Sequence, residues 1–300
     1  MTPVAVLITI ASYFLILFTI SYIAGRKADN EGFFVGNRKS AWYVVAFAMI
    51  GSSISGVTFV SVPGMVGISN FSYLQMVLGF VTGQIIIAFV LIPLFYRMNL
   101  VSIYEYLENR FGTSSYKTGA WFFFISKILG AAVRLYLVCL TLQLLVFEPF
   151  HMPFIMNVIL TVALVWLYTF RGGVKSLIWT DSLKTFCLIV SVVLCIYYIS
   201  TDLKLSFTEM FSTVSDSALS HMFFFDNVND KRYFFKQFLA GVFTMIAMTG
   251  LDQDMMQRNL SCKNFKDSQK NMITSGISQF FIILLFLMLG VLLYTFTSHQ

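Results

Sequence analysis

Apolar residues fall in long runs along this chain, separated by short polar connections. Val4–Ala24, Ala41–Val66, Ser72–Tyr96, Thr118–Phe147, Pro153–Phe170, Ser176–Ile199, Gln237–Leu251 and Asn271–Thr297 are each mainly apolar. A helix crossing a bilayer needs about 20 such residues. The pattern therefore predicts eight spans, the fourth long and tilted, the seventh short. The longer connections are Gly25–Ser40, Arg97–Lys117 and Thr201–Lys236, and Ile103–Glu108 within the second has the spacing of a short amphipathic helix.

Composition agrees. Of 300 residues, 58% are hydrophobic and 11% charged, against about 25% charged in soluble domains. The expected fold class is an all-α polytopic membrane protein, and the +6 net charge then calls for no nucleic-acid partner. Cys139, Cys187, Cys195 and Cys262 lack metal-site spacing and read as small packing residues. The first run has no basic segment before it, so it reads as a retained span, not a cleaved leader. Lysine and arginine concentrate in alternate loops: Arg26, Lys27, Arg38 and Lys39; Arg97, Arg110 and Lys117; Arg171 and Lys175; Arg258, Lys263, Lys266 and Lys270. The positive-inside rule places these loops in the cytoplasm and the N-terminus outside.

Two spans carry interruptions. The second holds Gly51-Ser52-Ser53-Ile54-Ser55-Gly56-Val57-Thr58, small and hydroxyl-rich between apolar flanks, with no charge from Ser40 to Tyr96. The seventh ends at Gly250 and runs into polar sequence. In lipid every backbone polar group needs a partner. A Gly/Ser-rich centre is therefore either a place where the helix unwinds and offers oxygens to a solute, or a seam for close helix packing. Counted from the second span, the broken helices are first and sixth. That order fits five helices followed by five in inverted topology. On this plan residues 1–300 form one transmembrane domain: 4–24 an extra helix, 41–199 a complete first repeat, 237–297 the first two helices of the second. The expectation is a fragment, or a C-terminally truncated reading frame, of a longer transporter.

The chain resembles the sodium/solute symporter family of glucose, proline, pantothenate and sialic acid transporters. The resemblance rests on Tyr168-Thr169-Phe170-Arg171-Gly172-Gly173-Val174 with Ile178-Trp179-Thr180-Asp181, on Glu105-Tyr106-Leu107-Glu108-Asn109-Arg110-Phe111, on Asp254-Met255-Met256-Gln257-Arg258, and on the Ser55…Thr58-Phe59…Pro63 pattern. It covers essentially the whole chain and implies a LeuT-like inverted-repeat fold preceded by one extra helix, with the N-terminus outside. It also implies sodium as the coupling ion and no other cofactor.

By that resemblance Gly51 and Ile54 match positions whose carbonyls bind sodium. Asp181 matches a residue that some members use in a second sodium site and others keep as a structural charge, with Lys184 or Lys127 as the neutralising partner here. Ser53, Ser55 and Thr58 match substrate-contacting positions in sialic acid transporters; on the plainer reading they bond the preceding turn. Glucose-type relatives tend to carry Asn and Gln where Ser53 and Thr58 stand, which argues against a simple hexose. Gln75 lies near a Gln or Glu of relatives and is a candidate substrate contact or an interhelical hydrogen bonder. Arg134 lies inside the fourth span, seven residues from Lys127 and one turn beyond the position (here Gly130) where sialic acid transporters hold a carboxylate. It is a candidate carboxylate clamp or the partner of Glu148 or Asp181. Asp252, Asp254, Gln257 and Arg258 form either an inner gate or a solvated helix end with an Asp254–Arg258 pair.

The expected function is sodium-coupled symport of a small polar solute across the cell membrane by alternating access, a carboxylated sugar such as sialic acid included. No catalytic set is present, so no enzyme is expected. The rivals are a transporter-like sensor module and a proton-coupled carrier using Asp181.

Overall fold

The computed structural model describes residues 3–25, 40–100, 102–169 and 173–298. Arg26, Lys27, Arg38, Lys39 and the Phe170-Arg171-Gly172 centre of the glycine motif lie outside the described residues, as does the side chain of Lys175. In chain order the helices are α1 (Pro3–Gly25), α2 (Trp42–Ser53), α3 (Gly56–Ser69), α4 (Tyr73–Ile86), α5 (Ile92–Arg97), α6 (Ile103–Phe111), α7 (Thr113–Leu142), α8 (Phe154–Thr169), α9 (Gly173–Asp202), α10 (Phe207–Asp216), α11 (Phe234–Met245), α12 (Gln253–Leu260) and α13 (Phe265–Ser298). Single π-turns, Ile87–Leu91, Gln143–Phe147 and Ile246–Gly250, follow α4, α7 and α11.

Among the described residues, five helical stretches can cross a membrane by length and composition, or six if the bent pair α11–α12 is one span; Trp42–Ser53 and Phe154–Leu167 are shorter apolar helices. The apolar runs thus map onto helices, with different segmentation. The expected second and third spans share Gly56–Arg97, a 42-residue stretch that turns at Asn70, whose φ is 55°. The connection Thr201–Lys236, expected to be a long polar loop, carries α10. Ser206 caps that helix, its N–H donating to Glu209 Oε2 at 2.7 Å, while Met210 and Val214 are buried.

The chain divides into two compact units, residues 1–40 with 100–180 and residues 41–99 with 181–300. In the first, α6 packs on α7 and α1 on α8. Asn157 of α8 is fully buried and donates to the Cys139 carbonyl at 2.7 Å, a polar link inside apolar surroundings.

In the second unit α4 and α11 cross backbone to backbone. A Cβ on Gly79 would meet the Phe238 carbonyl, and one on Gly241 the Met76 carbonyl. Small residues at a crossing allow the close approach that dispersion forces require in lipid. The long connection is strapped to this crossing. Gln75 is fully buried; its amide donates to the Arg232 carbonyl at 2.8 Å and the Ser72 carbonyl at 3.2 Å, and its oxygen accepts the Phe224 N–H at 3.2 Å. Arg232 lies 4.4 Å above the Phe224 ring, donates to Asn70 Oδ1 at 3.2 Å and pairs with Asp230 at 2.9 Å.

The Arg232 guanidinium and N–H, both bonded to Asp230, hold that carboxyl below its ordinary value. A carboxylate depressed in the folded state stabilises above its unfolded value, and that contribution is lost as pH falls through the folded one. Asp230→Asn is therefore expected to speed proteolysis of residues 222–233 at neutral pH. The difference from the parent should shrink to nothing as the pH drops below the ordinary aspartate range. Equal rates at neutral pH would show that the pair does not hold the loop.

Candidate functional site

The second unit contains both helix breaks. At the first, α2 ends at Ser53, Ile54 and Ser55 are extended (φ −95°, ψ 121° and φ −109°, ψ 171°), and α3 starts at Gly56. A continuous helix would spend the Ser55 N–H on the Gly51 carbonyl. Here that N–H donates to Thr58 Oγ1 at 3.2 Å. The first amide back in the ladder is that of Phe59, bonded to the Ser55 carbonyl at 3.2 Å. The carbonyls of residues 51–54 are thereby outside the helical ladder, as at any helix C-terminus. That is the partial negative charge a cation needs, inside a segment flanked by apolar helix.

Three hydroxyls surround the break. Ser55 Oγ and Thr58 Oγ1 lie 3.4 Å apart, both half-buried, and Ser53 is exposed. They are brought together because Ser55 caps α3, not because they share a face of an unbroken helix. The fourth hydroxyl is differently placed. Ser52 Oγ donates to Asp181 Oδ2 and to the Ala48 carbonyl, each at 3.1 Å.

Asp181 is enclosed by cations. Arg258 Nη1 contacts its Oδ2 and also Ser52 Oγ, and Lys184 Nζ lies 3.3 Å from Oδ1. Arg258 in turn reaches Asp254 at 3.2 Å. The Arg258 side chain is 8% exposed and that of Asp181 14%. One guanidinium thus joins α12, just past the second break, to α9 and to the end of α2 at the first break. The bend between the two halves of the α11–α12 span is 69°. The expected local pair Asp254–Arg258 exists, but the more buried partner is Asp181. Of the two cations expected at Asp181, Lys184 is found there; Lys127 instead sits 5.4 Å over the Phe123 ring in the first unit.

Close packing explains Gly51. A Cβ there would meet Thr185 Oγ1 and approach the Asp181 carbonyl to 2.8 Å. Thr185, fully buried, donates to the Phe47 carbonyl at 2.8 Å and so ties α9 to α2.

The two remaining candidate substrate contacts, Gln75 and Arg134, have these surroundings. Gln75 spends its amide on the backbone of the long connection, so in this conformation it is a loop anchor. Arg134 belongs to the first unit, on an exposed stretch of α7, and donates from Nε to the Gly130 carbonyl at 3.0 Å. Among the described residues it has no ion pair with Glu148 of its own unit, and Asp181 is held by Arg258 and Lys184. Sequence reasoning passed over Ser52 and Thr185, whose roles depend on contacts more than a hundred residues away.

Among the described residues the elements are helices, with two broken apolar spans, one of which takes the carbonyls of residues 51–54 out of the helical ladder; that is the build of a membrane carrier. The sodium:solute symporter family matches residues 33–299, and the chain belongs to it. It is a family of carriers, not of enzymes. The human protein "Sodium-coupled monocarboxylate transporter 2" is 25% identical over 272 residues, 90% of this chain and 43% of that protein. "Sodium/sialic acid symporter NanT" of Aliivibrio fischeri is 26% identical over 269 residues, 85% of this chain and 50% of its own length. The chain therefore spans half or less of these relatives. A solved structure described as the substrate-bound outward-open state of a Na+-coupled sialic acid symporter superposes with a TM-score of 0.83 at 21% identity, covering 96% of this chain and 61% of that one. The fold is the LeuT-like fold of that symporter.

Proposed function

We propose that this protein is a sodium-coupled symporter of a small polar organic solute, working by alternating access in the cell membrane. The observation that carries the reading is the set of carbonyls from Gly51 to Ile54 released from the helical ladder at the first break. Sodium prefers several hard oxygen ligands, and this turn supplies some of them without burying a charge. Ser53, Ser55 and Thr58 present hydroxyls to the solute beside that turn. Sodium on the carbonyls orders the extended residues 54–55 and raises solute affinity; by linkage, solute raises sodium affinity equally.

Asp181 acts differently in this reading. With its carboxylate oxygens engaged by Arg258, Lys184 and Ser52, it works as a latch between the two breaks, and a cation reaches it only when Arg258 leaves. The same engagement argues against Asp181 as a proton carrier. A carboxylated solute is supported by relatives named for monocarboxylates and for sialic acid and by the exposed Arg134 guanidinium.

The test is uptake by the full-length protein in proteoliposomes, with sugars, sialic acid, amino acids and monocarboxylates as candidate solutes. Uptake should require sodium and persist without a pH gradient. Uptake that follows pH and ignores replacement of sodium by choline would establish proton coupling instead, and no uptake of any solute would favour the sensor reading. Arg134→Ala should weaken transport of a carboxylated solute and spare a neutral one; equal transport before and after would remove Arg134 from the site.

A further inference from the structure

The first unit holds a groove that the transport reading does not use. It lies between α1, the end of α7 with its π-turn Gln143–Phe147, and α8, and has a volume of about 400 Å³. α1 is apolar with little sidedness, as a span in lipid is, so the side turned to its neighbours is as oily as the rest. Phe14 and Phe18 of α1, Val146 and Phe147 of the π-turn and Leu164 of α8 line the groove. Thr161 is the one polar side chain in the lining. Its hydroxyl donates to Asn157 Oδ1 at 3.3 Å, and the Asn157 amide is spent on the Cys139 carbonyl and on Gln143 Oε1. That polar cluster closes on itself and keeps no hydrogen for a ligand in the groove.

Cavities of this chemistry stay dry and take apolar guests. Leu7, Leu15 and Leu160 of the lining are 44%, 69% and 48% exposed, so the groove opens outward. Val4–Ile23 and Thr113–Phe150 are both long and apolar enough to cross a membrane, and what surrounds such spans is hydrocarbon. Length decides which hydrocarbon. From Leu7 to Phe18 the helix rises about 16 Å, close to half of a ~30 Å bilayer core. The volume spread over that length gives a cross-section of about 25 Å², whereas a helix about 10–12 Å across fills about 80 Å² or more. The groove has the length of one leaflet and the width of one chain.

We infer that the groove between α1 and the α7–α8 pair binds a single phospholipid acyl chain from one leaflet. α1 touches α8 and the π-turn, and the chain fills the space those contacts leave open. Dispersion contacts hold it there, because lipid outside is as apolar as the groove and supplies no hydrophobic drive. The lipid thereby seats α1 on the rest of the unit.

Photolabelling of the full-length protein, in nanodiscs of a phosphatidylcholine with a diazirine at mid-chain, tests this. The π-turn supplies both reporter and control. Val146 and Phe147 line the groove and are 1% and 9% exposed, whereas Leu144 and Leu145 are 60% and 53% exposed. Lipid outside the groove labels only the exposed pair. Adducts on Val146 and Phe147, located by tandem mass spectrometry, are expected at a yield within a few-fold of that pair. Ala11, also in the lining, is the place to block the groove. Ala11→Trp should cut the Val146 and Phe147 yield several-fold and leave Leu144 and Leu145 as they were. A parent protein without adducts on Val146 and Phe147 would overturn the inference, whether or not the variant folds. Unchanged labelling of those two residues in a folded variant would overturn it too.

Discussion

Arg258→Met is expected to destabilise the protein by about 3–5 kcal/mol, the cost of leaving one member of a buried ion pair without its partner. The geometry says why. Lys184, Asp181, Arg258 and Asp254 form an alternating chain of charges, and Arg258 is its most buried member. Removing it leaves Asp181 with Lys184, whose side chain is 44% exposed, so a solvated lysine replaces an enclosed guanidinium. Asp181→Asn alone strands the guanidinium with the half-solvated Asp254. The double variant Asp181→Asn with Arg258→Met removes both charges and should recover most of the loss. Thermal unfolding of all four forms in detergent checks this; additive losses would mean that the two residues do not act as a pair. Asp181→Asn should also leave the steepness of sodium activation unchanged, since the carbonyl turn and not this carboxylate is assigned the ion. A shallower sodium curve would make Asp181 a ligand.

Gly51→Val is expected to abolish sodium-dependent uptake and to cost about 1–3 kcal/mol of stability from overpacking, whereas Gly56→Ala should be tolerated. In the sequence the two glycines bracket the same hydroxyl-rich segment and look equivalent. In the structure a Cβ at Gly51 collides with Thr185 and the Asp181 carbonyl, while one at Gly56 meets nothing within 4 Å. The valine pushes α2 away from α9 and breaks the Thr185–Phe47 hydrogen bond that seats the break. At Gly56, the first residue of α3, alanine even favours the helix by up to about 1 kcal/mol. Uptake and melting temperature of both variants decide; equal effects would mean that the glycines serve flexibility and not close approach.

The position of the first break was legible as a small, hydroxyl-rich octet inside an apolar run, although the octet alone left unwinding and close helix packing both open. The second was legible from Gly250 and the polar residues after it. What the sequence hid is long-range. Asp254 stands four residues before Arg258 and so suggested the partner, but the closer contact is Asp181, 77 residues away, and no periodicity encodes that. Ser52 and Ser53 look alike; only their orientation sends one to Asp181 and leaves the other exposed. Gln75 was visible as an isolated polar residue in an apolar run, yet its role as a loop anchor depends on Phe224 and Arg232. Helix α10 carried its own signals, Ser206 and Glu209 as a cap and Phe207, Met210, Phe211 and Val214 at helical spacing. The polar residues between them made the segment read as a loop.

In the proposed mechanism the peptide turn at residues 51–55 grips sodium. Ser53, exposed beside the free carbonyls, is the place to measure it. Ser53→Cys in a background without the four native cysteines should react with a polar thiol reagent, and sodium should slow that reaction several-fold while potassium and choline leave it unchanged. A reaction rate identical in all three salts would contradict the account.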